Sequence, residues 1–163
     1  MIQYDFGKTI QDKQFVVKGS LNKPPAVLTN AISKLRAKAR RKGYDFHKHL
    51  KTMLEQNSIM APEFKRPERD DLYAADYIHE GTEKDCQGCS LTRLITRSAR
   101  PEPSSKVFYG TIGSANQVLR DADLRDKLHG QTGVICFEME AAGLMDNFPC
   151  IVVRGICGKF VHD

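Results

Sequence analysis

The stretch Gly133–Cys157, GVICFEMEAAGLMDNFPCIVVRGIC, restricts the possible folds of this chain more than any other. Its first apolar run, Val134–Phe137, predicts a strand that is buried on both faces. Ala141–Met145 predicts a short helix that ends at a polar break. A second apolar run, Ile151–Val153, predicts another buried strand. Two buried strands joined by a helix indicate a parallel pair with a right-handed crossover, and therefore an α/β fold.

Three charged residues of this stretch, Glu138, Glu140 and Arg154, lie where the predicted strands end. Glu138, Met139 and Glu140 follow the first strand, and Arg154 follows the second. Ligands of open parallel sheets bind outside the carboxyl ends of the strands, so this edge is the predicted place for a binding site. Both glutamates also fit a purely structural role, because the dipole of a helix favours acids in its first turn.

Length and composition fit one domain. The chain has 163 residues, a formal net charge of +5 and five cysteines. No apolar run is long enough to span a membrane, and the first residues lack a signal-peptide pattern. The cysteines occur as the pair Cys86-x-x-Cys89 or within apolar runs, which is typical of proteins in a reduced compartment. We therefore expect a cytoplasmic protein with no membrane partner.

The first third of the chain predicts a hairpin followed by two helices. Ile2–Phe6 and Gln14–Val17 have strand character and are separated by a polar turn. Pro24 and Pro25 begin a helix with one apolar face, since proline is tolerated in the first turn. A second amphipathic helix is predicted after Gly43 and ends near residue 57.

Strand and helix alternate again in the last third. Lys106–Ile112 predicts a strand, and small residues follow it in a tight turn. Asp123 resembles the N-cap of a short helix that runs to His129. The predicted order is β-β-α-α-insertion-β-α-β-α-β, an α/β layout that ends on a strand.

A basic segment covers the two predicted helices. Lys34–Lys51 contains eight lysines or arginines and one aspartate. Such a segment is commonly the solvated face of amphipathic helices, and we favour that interpretation over a nucleic-acid interface. Neither an aromatic platform nor a Gly-rich loop accompanies the charge. A nucleic-acid partner is therefore not expected, although salt-dependent DNA binding would test for one.

Residues 58–105 predict a long, mostly irregular insertion that is rich in proline and charge. Within it, Cys86 and Cys89 have the spacing of half a zinc site, and His79 is nearby. A structural zinc site takes four ligands, and no second pair with matching spacing follows. Two free thiols are the favoured interpretation, with a metal site or a local redox pair as alternatives.

Several motifs together resemble one family. They are QYDFGK (3–8), GSLNKPP (19–25), the insertion with its CxxC, NQV (116–118) and FEMEAAGLMDNFPCIVVRGIC. They resemble the fungal nucleoside phosphorylase-like domain at the head of multidomain ankyrin, tetratricopeptide or NACHT proteins. The resemblance extends more distantly to methylthioadenosine/S-adenosylhomocysteine nucleosidases and purine nucleoside phosphorylases. It implies a three-layer α/β fold with a mixed sheet.

The resemblance also implies a nucleoside site with no cofactor. Glu140 would accept hydrogen bonds from both ribose hydroxyls, and Met139 would pack under the sugar. Such a carboxylate would favour the positive charge that develops on ribose as an N-glycosidic bond breaks. The implied base-side residues are Ser114, Asn116, Val118 and Leu119. Ala115 stands where the family has a glycine.

Two departures from the family affect the expected activity. Gly158 stands where the family has the aspartate that protonates the leaving purine, so the implied site has no catalytic residue. The family also places several strands and a phosphate-binding loop before QYDFGK. The prediction is thus a partial domain over residues 1–163, lacking its first strands and its C-terminal helix. Its exposed sheet edges would favour a homo-oligomer.

Two functions follow from this resemblance. One is a purine nucleoside phosphorylase or nucleosidase-like domain that is inactive as this fragment. The other is a non-catalytic nucleotide-sensing or interaction module of a multidomain NACHT- or ankyrin-type protein. Either would have a purine nucleoside or nucleotide as its partner, and phosphate is a further candidate ligand.

Overall fold

The fold was obtained as a computed structural model, which describes residues 1–62, 71–80, 86–98 and 105–156. The described elements comprise strands and helices in an α/β arrangement, with short 3₁₀ segments between some of them. In chain order they are β1 (Ile2–Thr9), β2 (Phe15–Ser20), α1 (Ala26–Lys42), α2 (Phe46–Gln56), β3 (Thr111–Ser114), α3 (Ala122–Thr132) and β4 (Val134–Glu138). This confirms the predicted α/β class; the three-layer nucleoside phosphorylase fold stays a prediction.

The strands form one mixed, open sheet of order β2-β1-β3-β4. β1 and β2 pair antiparallel, which confirms the predicted hairpin. β1 pairs parallel with β3, and β3 pairs parallel with β4. The carboxyl ends of β3 and β4 coincide, because Ser114 is in register with Glu138. Topology thus brings two polar residues together at one edge of the sheet.

One hydrophobic cluster packs α3 against the sheet. Its buried members are Tyr4, Ala115, Leu119 and Leu128. The ring of Tyr4 meets the ring of Phe137 edge-on, with centroids 5.4 Å apart. Gly113 lies beneath both rings, and an added Cβ there would come within 2.9 Å of the Phe137 ring. The glycine therefore allows the two aromatic rings to close over β3 and complete this side of the core.

A second cluster explains why one predicted strand is absent. Residues 149–156 have no regular secondary structure, so the predicted strand Ile151–Val153 was wrong. Cys150 and Val152 instead pack against Leu21, Ala141 and Met145. Val152 is thus partly covered by side chains, and the run does not form a strand beside β4. The predicted burial of this run was also wrong, because Ile151 and Val152 are only half-buried and Val153 is 88% exposed.

Other boundaries differ from the sequence predictions by a few residues. The predicted strand Lys106–Ile112 begins only at Thr111, since residues 106–110 are exposed and irregular. The helix predicted from Asp123 begins earlier, because the carboxylate of Asp121 accepts the hydrogen bond from the Leu124 amide at 2.9 Å. The short helix after β4 forms as a single 3₁₀ turn, Ala141–Gly143.

Helices α1 and α2 form as predicted, with Pro25 at the N-cap of α1, but neither contains a buried residue. Part of the basic segment is neutralised locally, because Asp45 pairs with Lys38 at 3.1 Å and with Lys48 at 3.5 Å. Arg36 lies over the ring of Tyr109, 4.6 Å from its centroid. These contacts fit the solvated-face interpretation of the segment. Across the described residues, helices are too short or too polar to cross a bilayer.

Candidate functional site

The candidate site is the carboxyl edge of β3 and β4. Ser114 and Glu138 are the last residues of these strands and lie side by side in the parallel ladder. Both are buried, with 0% of Ser114 and 5% of Glu138 exposed. A buried polar side chain is costly unless it is hydrogen-bonded, so the hydrogen-bond partners of both residues determine how this edge is built. Their hydrogen-bond partners are backbone amides of the loop that follows β4.

Glu138 organises the turn after β4 through backbone hydrogen bonds. One oxygen of its carboxylate, Oε2, accepts from the amides of Glu140 and Ala141, both at 2.9 Å. This arrangement satisfies donors at the start of the 3₁₀ turn, as a capping carboxylate does. The other oxygen, Oε1, is buried and has no hydrogen-bond partner among the described residues. Glu138 therefore fits the structural role that its sequence position allowed.

Ser114 holds the same turn from the neighbouring strand. Its hydroxyl oxygen accepts a hydrogen bond from the amide of Ala142 at 2.9 Å. The amide of Ala115 adds a longer bond of 3.4 Å to the carbonyl of Glu138. Ser114 is thus joined to the Glu138 turn, and its hydroxyl faces backbone. Together the two side chains fix the positions of Met139 and Glu140.

Glu140 carries the exposed charge of the site. Its side chain is 64% exposed, and its Oε2 lies 3.6 Å from a guanidinium nitrogen of Arg154. The same oxygen accepts a hydrogen bond from the amide of Met139 at 3.0 Å. That bond, together with Glu138 and Arg154, lowers the pKa of Glu140 below its ordinary value of 4.5. Glu140 is therefore an ionised acceptor at neutral pH, open to solvent, with a cation beside it.

Met139 lies next to this carboxylate with 43% of its surface exposed. An apolar, flexible side chain beside an exposed charged acceptor can cover the carbon face of a polar ligand. Burial, and to a lesser degree the Glu138 charge, raises the pKa of the Cys136 thiol in β4. Cys136 is thus a neutral residue below the site and adds no charge to it.

The turn after β3 forms the other side of the edge. The Asn116 amide donates to the carboxylate of Asp5 at 3.1 Å, and the Tyr4 hydroxyl donates to the carbonyl of Gln117 at 3.2 Å. Asn116 and Val118 are exposed, the latter by 54%. Leu119 instead lies in the core, 5% exposed. Asn116 and Val118 are therefore available to a ligand, whereas Leu119 supports the turn from beneath.

Ala115 is accommodated without crowding the turn. It is fully buried and belongs to the cluster that contains Tyr4 and Leu128. Its methyl group thus contributes to the core, and an alanine fits this turn. Gly158, the position of the implied leaving-group acid, lies outside the described residues.

Tyr4 and Asp5 belong to this edge although the sequence did not single them out. β1 runs parallel to β3 with Gln3 in register with Ser114, so its next residues reach past the end of β3. Asp5 holds the Asn116 amide there and Tyr4 packs beneath. The QYDFGK motif was noted, but which strand would lie beside β3 could be known only from the topology.

The metal candidates Cys86 and Cys89 lie in the insertion and not on the elements that build this edge. They are not joined by a disulfide. The candidate site therefore consists of an anionic acceptor, a neighbouring arginine, an exposed methionine and a polar turn. This set suits a neutral ligand with hydroxyl donors and an apolar face.

The chain is similar to a nucleotide-binding leucine-rich repeat (NLR)-like protein from Hyaloscypha variabilis. The two are 39% identical over 158 residues, which is 96% of this chain. The chain spans only 15% of the length of that relative. No protein-family model matches the chain. A search of solved structures likewise gives no match.

Proposed function

We propose that this chain is a purine nucleoside- or nucleotide-binding module of a longer NLR-type protein, and that it binds its ligand without cleaving it. The observation that carries the proposal is the 39% identity to a stretch of an NLR-like protein that is several times longer. A module within such a protein can act by changing its state when a ligand binds, and it does not have to convert that ligand. Residues 1–163 then form part of one domain, with the insertion at about 58–105.

The edge of β3 and β4 supports a ribose contact. Glu140 is ionised, exposed and held by the turn that Glu138 and Ser114 fix. A carboxylate that accepts from two vicinal hydroxyl groups makes charge-assisted bonds, each worth about 1.5–3 kcal/mol. Met139 lies adjacent and would pack against the sugar, while Asn116 and Val118 would border the base. Arg154 would either keep Glu140 ionised or contact a phosphate of a nucleotide.

Replacing Glu140 by alanine is expected to weaken adenosine binding by about 100-fold or more, because two charge-assisted bonds are lost. Isothermal titration calorimetry with adenosine measures this change. Since the pKa of Glu140 lies below 4.5, the carboxylate stays ionised and the affinity of the unaltered chain should be the same at pH 7 and pH 5.5. Affinity is expected to fall only as the pH passes down through that lowered pKa.

Glu55→Ala serves as the matched control, because Glu55 is also an exposed glutamate but lies on α2. It should leave adenosine affinity unchanged. If Glu140→Ala bound adenosine as tightly as the unaltered chain, the ribose contact would be refuted. Titrations with ATP and with inorganic phosphate identify whether a phosphate adds to the affinity.

A second candidate is cleavage of the N-glycosidic bond of a purine nucleoside. It is favoured by the position of Glu140, where the resemblance places the carboxylate that stabilises positive charge on the ribose. Chromatography of adenosine incubated with the chain distinguishes the two candidates. The sensing module predicts bound adenosine and no free adenine. Accumulation of adenine that Glu140→Ala prevents would establish the enzyme instead.

A further inference from the structure

Three potential metal ligands converge in the insertion. The ligand atoms of His79, Cys86 and Cys89 all lie within 4.8 Å of one another. Cys89 is buried, 6% exposed, and the other two are half-buried. One imidazole nitrogen and two sulfurs, from positions 79, 86 and 89, thus lie close enough together to surround one ion. Ordinary surface packing does not require that convergence.

The spacing is close to that of a tetrahedral zinc site. Zn²⁺ binds thiolate sulfur at about 2.3 Å and imidazole nitrogen at about 2.0–2.1 Å. At tetrahedral angles these bond lengths separate the ligand atoms by about 3.5–3.8 Å. The upper limit of 4.8 Å seen here therefore requires each ligand to move by no more than about 1 Å toward the centre.

The surrounding backbone holds the two segments together. The amide of Ile95 donates to the carbonyl of Leu72 at 2.8 Å, and Tyr73 and Leu94 form an isolated antiparallel bridge. The amide of Ser90, next to Cys89, donates to the Tyr77 hydroxyl at 2.7 Å. These bonds bring residues 71–80 against residues 86–98. The segment that carries His79 thus lies beside the segment that carries the cysteine pair.

The cysteine pair itself has the form of a metal-binding turn. The amide of Cys89 donates to the carbonyl of Cys86 at 3.3 Å, which closes the turn around Gln87 and Gly88. A Cys-x-x-Cys turn places both sulfurs on one side, as half of a zinc site requires. An ion pair between Arg93 and Asp76, 2.6 Å long, adds a further tie between the same two segments.

We propose that His79, Cys86 and Cys89 bind one Zn²⁺ ion. The ion would tie residues 71–80 to residues 86–98 within the insertion. Zinc is favoured by the ligand set, because two thiolates with an imidazole suit a borderline-soft ion better than Mg²⁺ or Ca²⁺. Both thiols lose their protons on binding, so binding releases protons to solvent and the bound site is electrically neutral. No fourth protein ligand joins the three among the residues that the structure describes. A water molecule would complete the tetrahedron.

A bound metal would add to the stability that these backbone and side-chain contacts give the segment. Its buried hydrophobic content is slight, and Cys89 is its buried member in the described core. Small units of this kind are commonly stabilised by a structural metal, since the free energy of metal binding contributes directly to folding. The alternative use of the pair, as a redox-active disulfide, makes no use of His79.

The test is metal analysis of the purified 163-residue chain. Plasma emission spectrometry should find about one zinc per chain, and the zinc X-ray absorption spectrum should fit two sulfurs near 2.3 Å with lighter atoms near 2.0 Å. Substituting Co²⁺ should give a thiolate-to-cobalt charge-transfer band and the d–d spectrum of a tetrahedral site. A sulfur-free zinc shell, or a chain that takes up no zinc, would overturn the proposal.

Three variants assign the ligands. His79→Ala, Cys86→Ser and Cys89→Ser should each weaken zinc binding by about 100-fold or more in a competition titration with a chromophoric chelator. Cys136→Ser and His49→Ala are matched controls elsewhere in the chain and should bind zinc as the unaltered chain does. Equal losses in the controls would overturn the assignment, as would a Cys86–Cys89 disulfide found by mass spectrometry in the chain purified without reductant. The X-ray absorption spectrum is recorded on the unaltered chain. Its result therefore does not depend on whether a variant folds.

Discussion

Replacing Glu138 by alanine is expected to lower the free energy of unfolding by about 3 kcal/mol. The carboxylate accepts hydrogen bonds from the amides of Glu140 and Ala141 and is itself buried. Alanine leaves both amides without that acceptor, and an unsatisfied buried donor costs about 1–3 kcal/mol. Urea unfolding followed by circular dichroism measures the change. The same variant should lose adenosine affinity, since the turn that holds Glu140 is no longer fixed.

Glu138→Gln is the control that separates hydrogen bonding from charge. The side-chain oxygen of glutamine can accept from the same two amides, and its NH2 group takes the place of Oε1, which has no partner among the described residues. We expect a loss of only about 1 kcal/mol, because the acceptor remains but is neutral. Equal losses for alanine and glutamine would contradict the view that the two accepted hydrogen bonds, more than the charge, hold the turn.

Leu128→Ala is the second substitution with a large expected effect. Leu128 is 4% exposed and lies in the cluster that joins α3 to the sheet. Truncating a buried leucine removes apolar contacts and leaves a cavity, which costs about 2.7–5.0 kcal/mol. We expect a loss near the lower end, about 3 kcal/mol, because only part of this α/β unit surrounds the side chain. A shift of the urea midpoint at unchanged slope would report that loss.

Leu124→Ala provides the comparison within the same helix. Leu124 precedes Leu128 by one turn but is 37% exposed. It should cost less than about 1 kcal/mol, since most of the removed surface is already in contact with water. If both variants were equally destabilised, α3 would not be held to the sheet through Leu128 and its neighbours.

Local chemistry made much of the fold predictable from the sequence. Two strand-like runs separated by a polar turn predicted the hairpin, and prolines followed by periodic apolar residues predicted α1. The acid pair after a buried run predicted a polar edge at the end of β4. These features depend on residues close together in the chain, so propensity and pattern determine them.

The remainder depended on contacts between distant residues. The run Ile151–Val153 has the composition of a strand, yet its neighbourhood is a side-chain cluster with Leu21 and Met145. Glu138 is buried and anchors the turn, whereas Glu140 is exposed, because the two side chains leave the end of β4 in different directions. The convergence of His79 with Cys86 and Cys89 likewise requires the pairing of two segments across the insertion. Sequence spacing alone could determine neither the roles of the two glutamates nor the position of the histidine.

The most direct test of nucleoside binding at this edge is an adenosine titration followed by amide chemical shifts of the isotopically labelled chain. We predict that the amides of Met139, Glu140, Ala142 and Asn116 shift in a saturable manner, whereas those of α2 (Phe46–Gln56) do not. These amides belong to the two turns that Ser114, Glu138 and Asp5 hold at the carboxyl ends of β3 and β4. Shifts confined to α1 and α2, or no shift up to the solubility limit of adenosine, would contradict the proposed function.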